Sequence, residues 1–113
     1  MITISTHVLD TSVGRPAVGV PVVLERSGGT TQWHVIGHGE TDADGRVRTL
    51  VPESAKLTMG VYRMVFDTRS YFEKRGVAGL YPSVTVVFEI RDETHYHVPL
   101  LLSPFGYSTY RGS

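Results

Sequence analysis

Two histidines separated by one residue near the end of the chain are well suited to chemistry. His95 and His97 alternate along a predicted strand, so both side chains project from the same face. An imidazole can serve as a general base or as a metal ligand. A third ligand from His7, His34 or His38 would complete a three-histidine zinc site. No carboxylate or cysteine follows at a diagnostic spacing, so the zinc site stays an alternative interpretation.

Two further residues could act on a substrate, and each also has a purely structural interpretation. His7 lies on the polar face of the predicted first strand, where it is either a surface histidine or a candidate general base. Arg46 follows a turn at residues 42–45, where it could be solvated or pair with an aspartate. A planar, permanently charged guanidinium could equally bind a carbonyl or an oxyanion. The residues alone favour the structural interpretation of Arg46.

The segment that closes the chain is unlike a disordered tail, which would be polar and dispensable. It is apolar, then aromatic, then basic, and it ends Tyr110, Arg111, Gly112, Ser113. These residues offer a phenol, a guanidinium and a hydroxyl within a few positions. The segment is expected either to be held in a site or to cap an edge of the fold. No Gly-x-Ser-x-Gly elbow and no phosphate-binding glycine loop accompanies it.

Composition limits the classes of protein that the chain can belong to. With 113 residues, 41% of them hydrophobic, it is expected to form a single globular domain over residues 1–113. Eleven basic and 11 acidic residues balance, which argues against a nucleic-acid partner. The absence of cysteine excludes disulfides and thiolate nucleophiles. No signal peptide or membrane span is visible, so we expect a cytoplasmic protein with no membrane partner, while a mature periplasmic form stays open.

The dominant hydrophobic period is two residues, which indicates β-strands. In the first strand Ile2, Ile4, Thr6 and Val8 share one face, and Thr3, Ser5, His7 and Leu9 share the other. Further strands are predicted at residues 18–25, 31–39, 46–50, 61–66, 84–90 and 95–102. Pro21 predicts an edge position or a bulge, and Pro99 predicts a free edge or an interruption, because proline cannot donate a ladder hydrogen bond.

One segment departs from this period. Residues 67–76 begin with an aspartate and end with a glycine, which predicts a helix of about two turns. Seven or eight short strands with turns between them predict an all-β fold, an antiparallel β-sandwich with one short helix.

The chain resembles the 5-hydroxyisourate hydrolases, a transthyretin-related family, over essentially its whole length. The strongest element is the block from His97 to Ser113, which ends in the tetrapeptide Tyr-Arg-Gly-Ser. Supporting elements are His7-Val-Leu-Asp10, Gly14-Arg-Pro-Ala17, Asp42-Ala-Asp-Gly-Arg46, Gly60-Val-Tyr-Arg63 and Tyr71-Phe72. Transthyretin proper, a hormone carrier, shares the fold and lacks this tetrapeptide.

The resemblance implies a transthyretin-like sandwich that assembles into a homotetramer, a dimer of dimers, with active sites in the channel between dimers. The implied reaction is cofactor-free hydrolysis of 5-hydroxyisourate, a cyclic amide derived from urate in purine catabolism. Carried over residue by residue, the catalytic positions are His7, Arg46, His97 and Ser113. His7, Arg46 and Tyr110 match the positions that contact the substrate.

Two other interpretations stay open at this point. The chain could be a transthyretin-like carrier of a small ligand without catalysis, although the intact tail and both histidines speak against it. It could also be a zinc hydrolase built on the His-x-His pair.

Overall fold

Two four-stranded sheets and one short helix make up the computed structural model, which describes all 113 residues, Met1 to Ser113. The strands are β1 (Thr3–Asp10), β2 (Arg15–Pro16), β3 (Pro21–Ser27), β4 (Trp33–Glu40), β5 (Gly60–Phe66), β6 (Val84–Ile90), β7 (His95–Ser103) and β8 (Gly106–Thr109). One sheet has the order β2-β1-β7-β8 and the other β4-β3-β5-β6. The predicted sandwich with one short helix is confirmed.

The first sheet joins the two ends of the chain. β1 pairs with β7 in parallel, in a register that sets Thr3 opposite His95 and Ser5 opposite His97. All other strand pairs are antiparallel, as expected. The parallel pair was not foreseen, because partners more than 90 positions apart leave no local signal in the sequence.

The core lies between the sheets and is supplied by alternate strand positions. It contains 21 buried hydrophobic residues, among them Ile4 and Val8 of β1 and Val98 and Leu100 of β7. Full burial of a large aliphatic or aromatic side chain stabilises a fold by about 1.5–3 kcal/mol. The same alternation that buries these residues turns their neighbours along β1 and β7 to the outer face of the sheet.

The helix α1 (Thr68–Lys74) confirms the expected departure from strand structure. Its N-cap is Asp67, whose carboxylate accepts a hydrogen bond from the Ser70 backbone N–H at 3.0 Å. Tyr71 and Phe72 are buried against the sandwich. No helix in the structure has the length and apolar character needed to cross a bilayer.

The strand predicted at 46–50 is wrong. The turn before it forms as expected, and Arg46 then makes a single isolated bridge to His7. Val47 and Leu50 are both buried. A spacing of three residues cannot place two side chains on the same face of a strand, so the chain turns away after one bridge.

The two prolines had different outcomes. Pro21 does not mark an edge or a bulge: it is the first residue of β3, a central strand, where no ladder donor is needed. The bulge in this sheet falls between Leu24 and Glu25 instead. Pro99 does coincide with an interruption of the pairing between β7 and the end of the chain. The pairs with β8 end at Leu100, and the next pair is the isolated bridge between His97 and Gly112. The strand β8 was missed by sequence reasoning.

Candidate active site

The outer face of β1 and β7 carries five polar side chains, which we call the histidine face: Thr3, Ser5, His7, His95 and His97. The parallel register brings residues from the two ends of the chain side by side. The ring centroids of His7 and His97 lie 6.5 Å apart, and those of His95 and His97 lie 6.3 Å apart. The predicted common face of His95 and His97 is therefore observed, and His7 joins them.

Arg46 reaches the histidine face through a turn that is closed by a side chain. The Asp42 carboxylate accepts hydrogen bonds from the backbone N–H groups of Asp44 and Arg46 at 2.9 and 3.0 Å. Gly45 has a φ of 78°, and a Cβ there would collide with the Val8 carbonyl oxygen. The turn thus packs directly on β1 and leaves Arg46 bridged to His7.

The electrostatics of the site are those of a cationic surface with a neutral base. Burial lowers the pKa of His97, and the positive charge of Arg46 and the neighbouring histidines His95 and His7 lower it further. No ion pair joins any histidine or Arg46 to a carboxylate. His97 is therefore unprotonated at neutral pH, the state in which an imidazole can accept a proton from water.

The tail runs alongside β7 and is anchored by two residues. The backbone N–H of Gly112 donates to the His97 carbonyl oxygen at 2.8 Å. Gly112 lies against the His97 ring so closely that no side chain would fit. The Arg111 guanidinium stacks 4.2 Å from the centre of the Tyr96 ring and donates to the Thr94 hydroxyl at 3.0 Å. The sequence predicted a held segment that includes Arg111, but it gave no indication that Gly112 would be one of the anchors.

Tyr110 and Ser113 are placed differently from the other predicted site residues. Ser113 is exposed and follows Gly112 directly, so it lies at the His97 end of the tail. Tyr110 is 57% exposed and lines a groove of about 390 Å³ with β6 and Arg111. The structure therefore brings His7, Arg46, His97 and the tail together, but within one chain Tyr110 belongs to a neighbouring groove.

Two surface cavities, of about 390 and 720 Å³, are lined by other residues than His7, Arg46 and His97. The second, of about 720 Å³, lies between the start of β1 and residues 47–57. Arg46 is exposed and His7 and His97 are half-buried, so on an isolated chain the candidate site is open to solvent.

The remaining histidines lie elsewhere. His34 and His38 belong to β4, in the other sheet. No three side chains of histidine, cysteine, aspartate or glutamate are arranged to hold a metal ion. Neither His34 nor His38 supplies the third ligand considered for a zinc site.

Comparison with known proteins places this arrangement in context. The HIUase/Transthyretin family model matches residues 4–112. The chain belongs to this family. It is 48% identical over 111 residues to a 5-hydroxyisourate hydrolase of Salmonella dublin, an alignment that covers 97% of this chain and 80% of the relative.

Solved structures of both branches of the family resemble this chain. The 5-hydroxyisourate hydrolase of Klebsiella pneumoniae matches with a TM-score of 0.84 and 38% identity, over 98% of this chain and 99% of that one. Transthyretin from Sparus aurata matches with a TM-score of 0.88 and 34% identity, over 96% and 95%. Because the backbone fits both, the fold alone does not distinguish the two functions, and the distinction must lie in particular side chains.

Proposed function

We propose that this chain, as a single domain over residues 1–113, is an enzyme that hydrolyses 5-hydroxyisourate. The observation that carries the proposal is the convergence of His7, Arg46 and His97 with the tail on one face of the sandwich. The choice of substrate is based on the similar proteins, which are named 5-hydroxyisourate hydrolases. The substrate is a polar cyclic amide, which suits a surface with a guanidinium and several hydrogen-bonding side chains.

In the proposed mechanism, Arg46 binds the substrate through charge-assisted hydrogen bonds and stabilises the oxyanion that forms at the attacked carbonyl. His97, unprotonated at neutral pH, accepts a proton from water. The water oxygen forms a bond to the carbonyl carbon, and the ring C–N bond breaks. His7 orients the water or gives a proton to the leaving nitrogen. The product is 5-hydroxy-2-oxo-4-ureido-2,5-dihydro-1H-imidazole-5-carboxylate.

The tail is proposed to complete the site. Ser113 relays a proton or binds the substrate, and Tyr110 contacts the substrate. Gly112 supports the first role, because its bond to the His97 carbonyl oxygen and its contact with the His97 ring hold the residue before Ser113 beside the proposed base. The exposure of Tyr110 on a neighbouring groove is consistent with a contact made across a subunit boundary.

We further propose a homotetramer, a dimer of dimers, with no cofactor. Two observations support assembly. β6 and β8 are edge strands of their sheets, and exposed edges tend to pair with another chain. The candidate site is also open on a single chain, so a second subunit would be needed to exclude water from it.

The test uses fresh substrate made in situ from urate with urate oxidase. Ultraviolet absorbance should decay faster with the protein than in a blank that records spontaneous hydrolysis. A decay rate equal to the blank would reject hydrolysis and favour the carrier interpretation. A parallel sample after exhaustive chelation should keep full activity, whereas loss of activity restored by zinc would favour the metal-dependent alternative.

A further inference from the structure

A hydrogen-bonded chain of side chains extends from His97 to the protein surface. Ser5 Oγ lies 2.7 Å from His97 Nδ1 and 2.9 Å from His95 Nε2. Thr3 Oγ1 lies 2.5 Å from His95 Nδ1. The two imidazoles are nearly parallel, with planes 15° apart. Ser5 is half-buried and His95 is exposed, so one end of the chain lies beside the proposed base and the other in water.

The hydrogen-bonded side chains can adopt two arrangements, which differ in the direction in which every hydrogen bond is donated. If His97 carries its proton on Nδ1, it donates to Ser5, the Ser5 hydroxyl donates to His95 Nε2, and His95 Nδ1 donates to Thr3. His97 Nε2 is then unprotonated and free to accept a proton. In the opposite direction, Thr3 donates to His95, His95 to Ser5 and Ser5 to His97, and Nε2 carries the proton instead.

We propose that Ser5 and His95 are positioning residues that set the tautomer of His97 and connect it to solvent through Thr3. This inference rests on the proposed function and extends it. When His97 Nε2 takes a proton from water, its Nδ1 proton passes to Ser5, the Ser5 proton to His95 Nε2, and the His95 Nδ1 proton to Thr3. Thr3 releases its own proton to solvent, so one proton enters and one leaves.

The surroundings of the chain support a relay of neutral groups rather than an ion pair. His97 is faced by Ser5 and His7 from β1, by Arg46 from the turn, by His95 on its own strand, and by Gly112 from the tail. No carboxylate lies within ion-pair distance of either histidine. The usual acidic partner that orients a catalytic imidazole is therefore absent, and Ser5 occupies its place beside Nδ1.

Kinetics of three variants test the relay. Ser5→Ala should lower kcat by about tenfold or more, with KM within about twofold, because general-base catalysis is impaired and binding is not. Ser5→Thr keeps the hydroxyl and should recover most of the activity. His95→Gln can hydrogen-bond but cannot pass a proton, and it removes an imidazole whose protonated form lowers the pKa of His97. Its kcat should fall, and the acidic limb of its pH profile should move to higher pH.

Matched controls are Ser83→Ala, at an exposed loop position, and His38→Gln, on the other sheet. Both should resemble the unaltered protein in kcat and in its pH profile. Equal kcat in Ser5→Ala and the unaltered protein would overturn the relay. A normal kcat in His95→Gln, with the acidic limb of its pH profile unmoved, would also overturn it.

Nitrogen-15 spectra of the imidazole rings test the same point without any turnover. In the unaltered protein His97 should carry its proton on Nδ1, and in Ser5→Ala it should shift toward the Nε2 tautomer. An unchanged His97 tautomer would reject the assignment to Ser5. Because this measurement needs no substrate, it decides the hydrogen-bonded chain even if the protein fails to hydrolyse 5-hydroxyisourate.

Discussion

β1 bears polar side chains on both of its faces, and the two sets differ in whether they contain a carboxylate. The inner face ends in the Asp10 cluster, which comprises Asp10, Ser12, Tyr71 and Arg75. Asp10 is 1% exposed, and its carboxylate accepts hydrogen bonds from Tyr71 Oη and from Ser12. Arg75 lies 3.9 Å away. The histidine face on the other side lies beside the cationic Arg46 and contains no carboxylate partner.

The pKa shifts express this difference. Burial raises the pKa of Asp10, but hydrogen bonds from Ser12 and Tyr71 and the charge of Arg75 together bring it below its ordinary value. Burial and the hydrogen bond to Asp10 raise the pKa of Tyr71 to about 12. For His97, burial and its charged neighbours all favour the neutral form. The carboxylate cluster ties α1 to β1, whereas the histidine face, which has no carboxylate, keeps a neutral base available.

Replacing Arg46 with alanine should have the largest effect, a loss of activity at the histidine face with no loss of stability. We expect kcat/KM for 5-hydroxyisourate to fall by about a hundredfold or more, because a charged donor to the oxyanion is lost. Thermal unfolding should be unchanged, since Arg46 is exposed. Arg48→Ala is the matched control, because its side chain is 89% exposed and only pairs with Asp42 at 3.6 Å. Near-normal turnover in Arg46→Ala would remove Arg46 from the mechanism.

A chain that ends at Thr109 should lose activity by about tenfold or more, because the groups that fix His97 and close the site are gone. The fold should be retained, since none of residues 110–113 is buried and none belongs to the hydrophobic core. Circular dichroism and a thermal melt check the fold, and the absorbance assay checks the activity. A truncated chain that unfolds would instead favour a structural role for the tail.

On the inner face, Tyr71→Phe should act on stability and leave chemistry alone. Removing the hydroxyl deprives Asp10 of a 2.7 Å hydrogen bond in a buried setting. The free energy of unfolding should fall by about 1–2 kcal/mol, measured by urea titration. Tyr107→Phe, at an exposed position, should change it by less than about 0.5 kcal/mol. A loss of kcat in Tyr71→Phe equal to that in Arg46→Ala would break the division between the two faces.

The smallest expected effect is a difference in pH dependence: acid should change stability through the Asp10 cluster and activity through the histidine face. The folded pKa of Asp10 lies below 3.8, so its ionised form contributes stability that is present above pH 3.8 and is lost as pH falls through the folded value. An Asp10→Asn variant should therefore show a weaker pH dependence of unfolding in that range. Its activity profile should keep the acidic limb of the unaltered protein, which lies below pH 6.5 because the pKa of His97 is lowered. A limb that moves with Asp10→Asn would show that the two faces are coupled.

Much of the fold was predictable because its signals are local. Strand alternation, the aspartate that caps α1 and the glycine turn before Arg46 depend on residues a few positions apart. The strand predicted at 46–50 failed because two buried residues, Val47 and Leu50, obey tertiary packing rather than a period of two. β8 was missed for a related reason, since its four residues contain no buried side chain to create a pattern.

The sequence by itself determined a β-sandwich with one short helix, and it identified His7, Arg46, His97 and the tail through their likeness to a family. Only the tertiary structure decided which histidines lie together. The parallel pairing of β1 with β7 sets Ser5 beside His97 and His95, and leaves His34 and His38 on the other sheet. The reason is physical: a strand's period fixes which face a side chain takes, but its register against a distant strand is set by packing of the whole core.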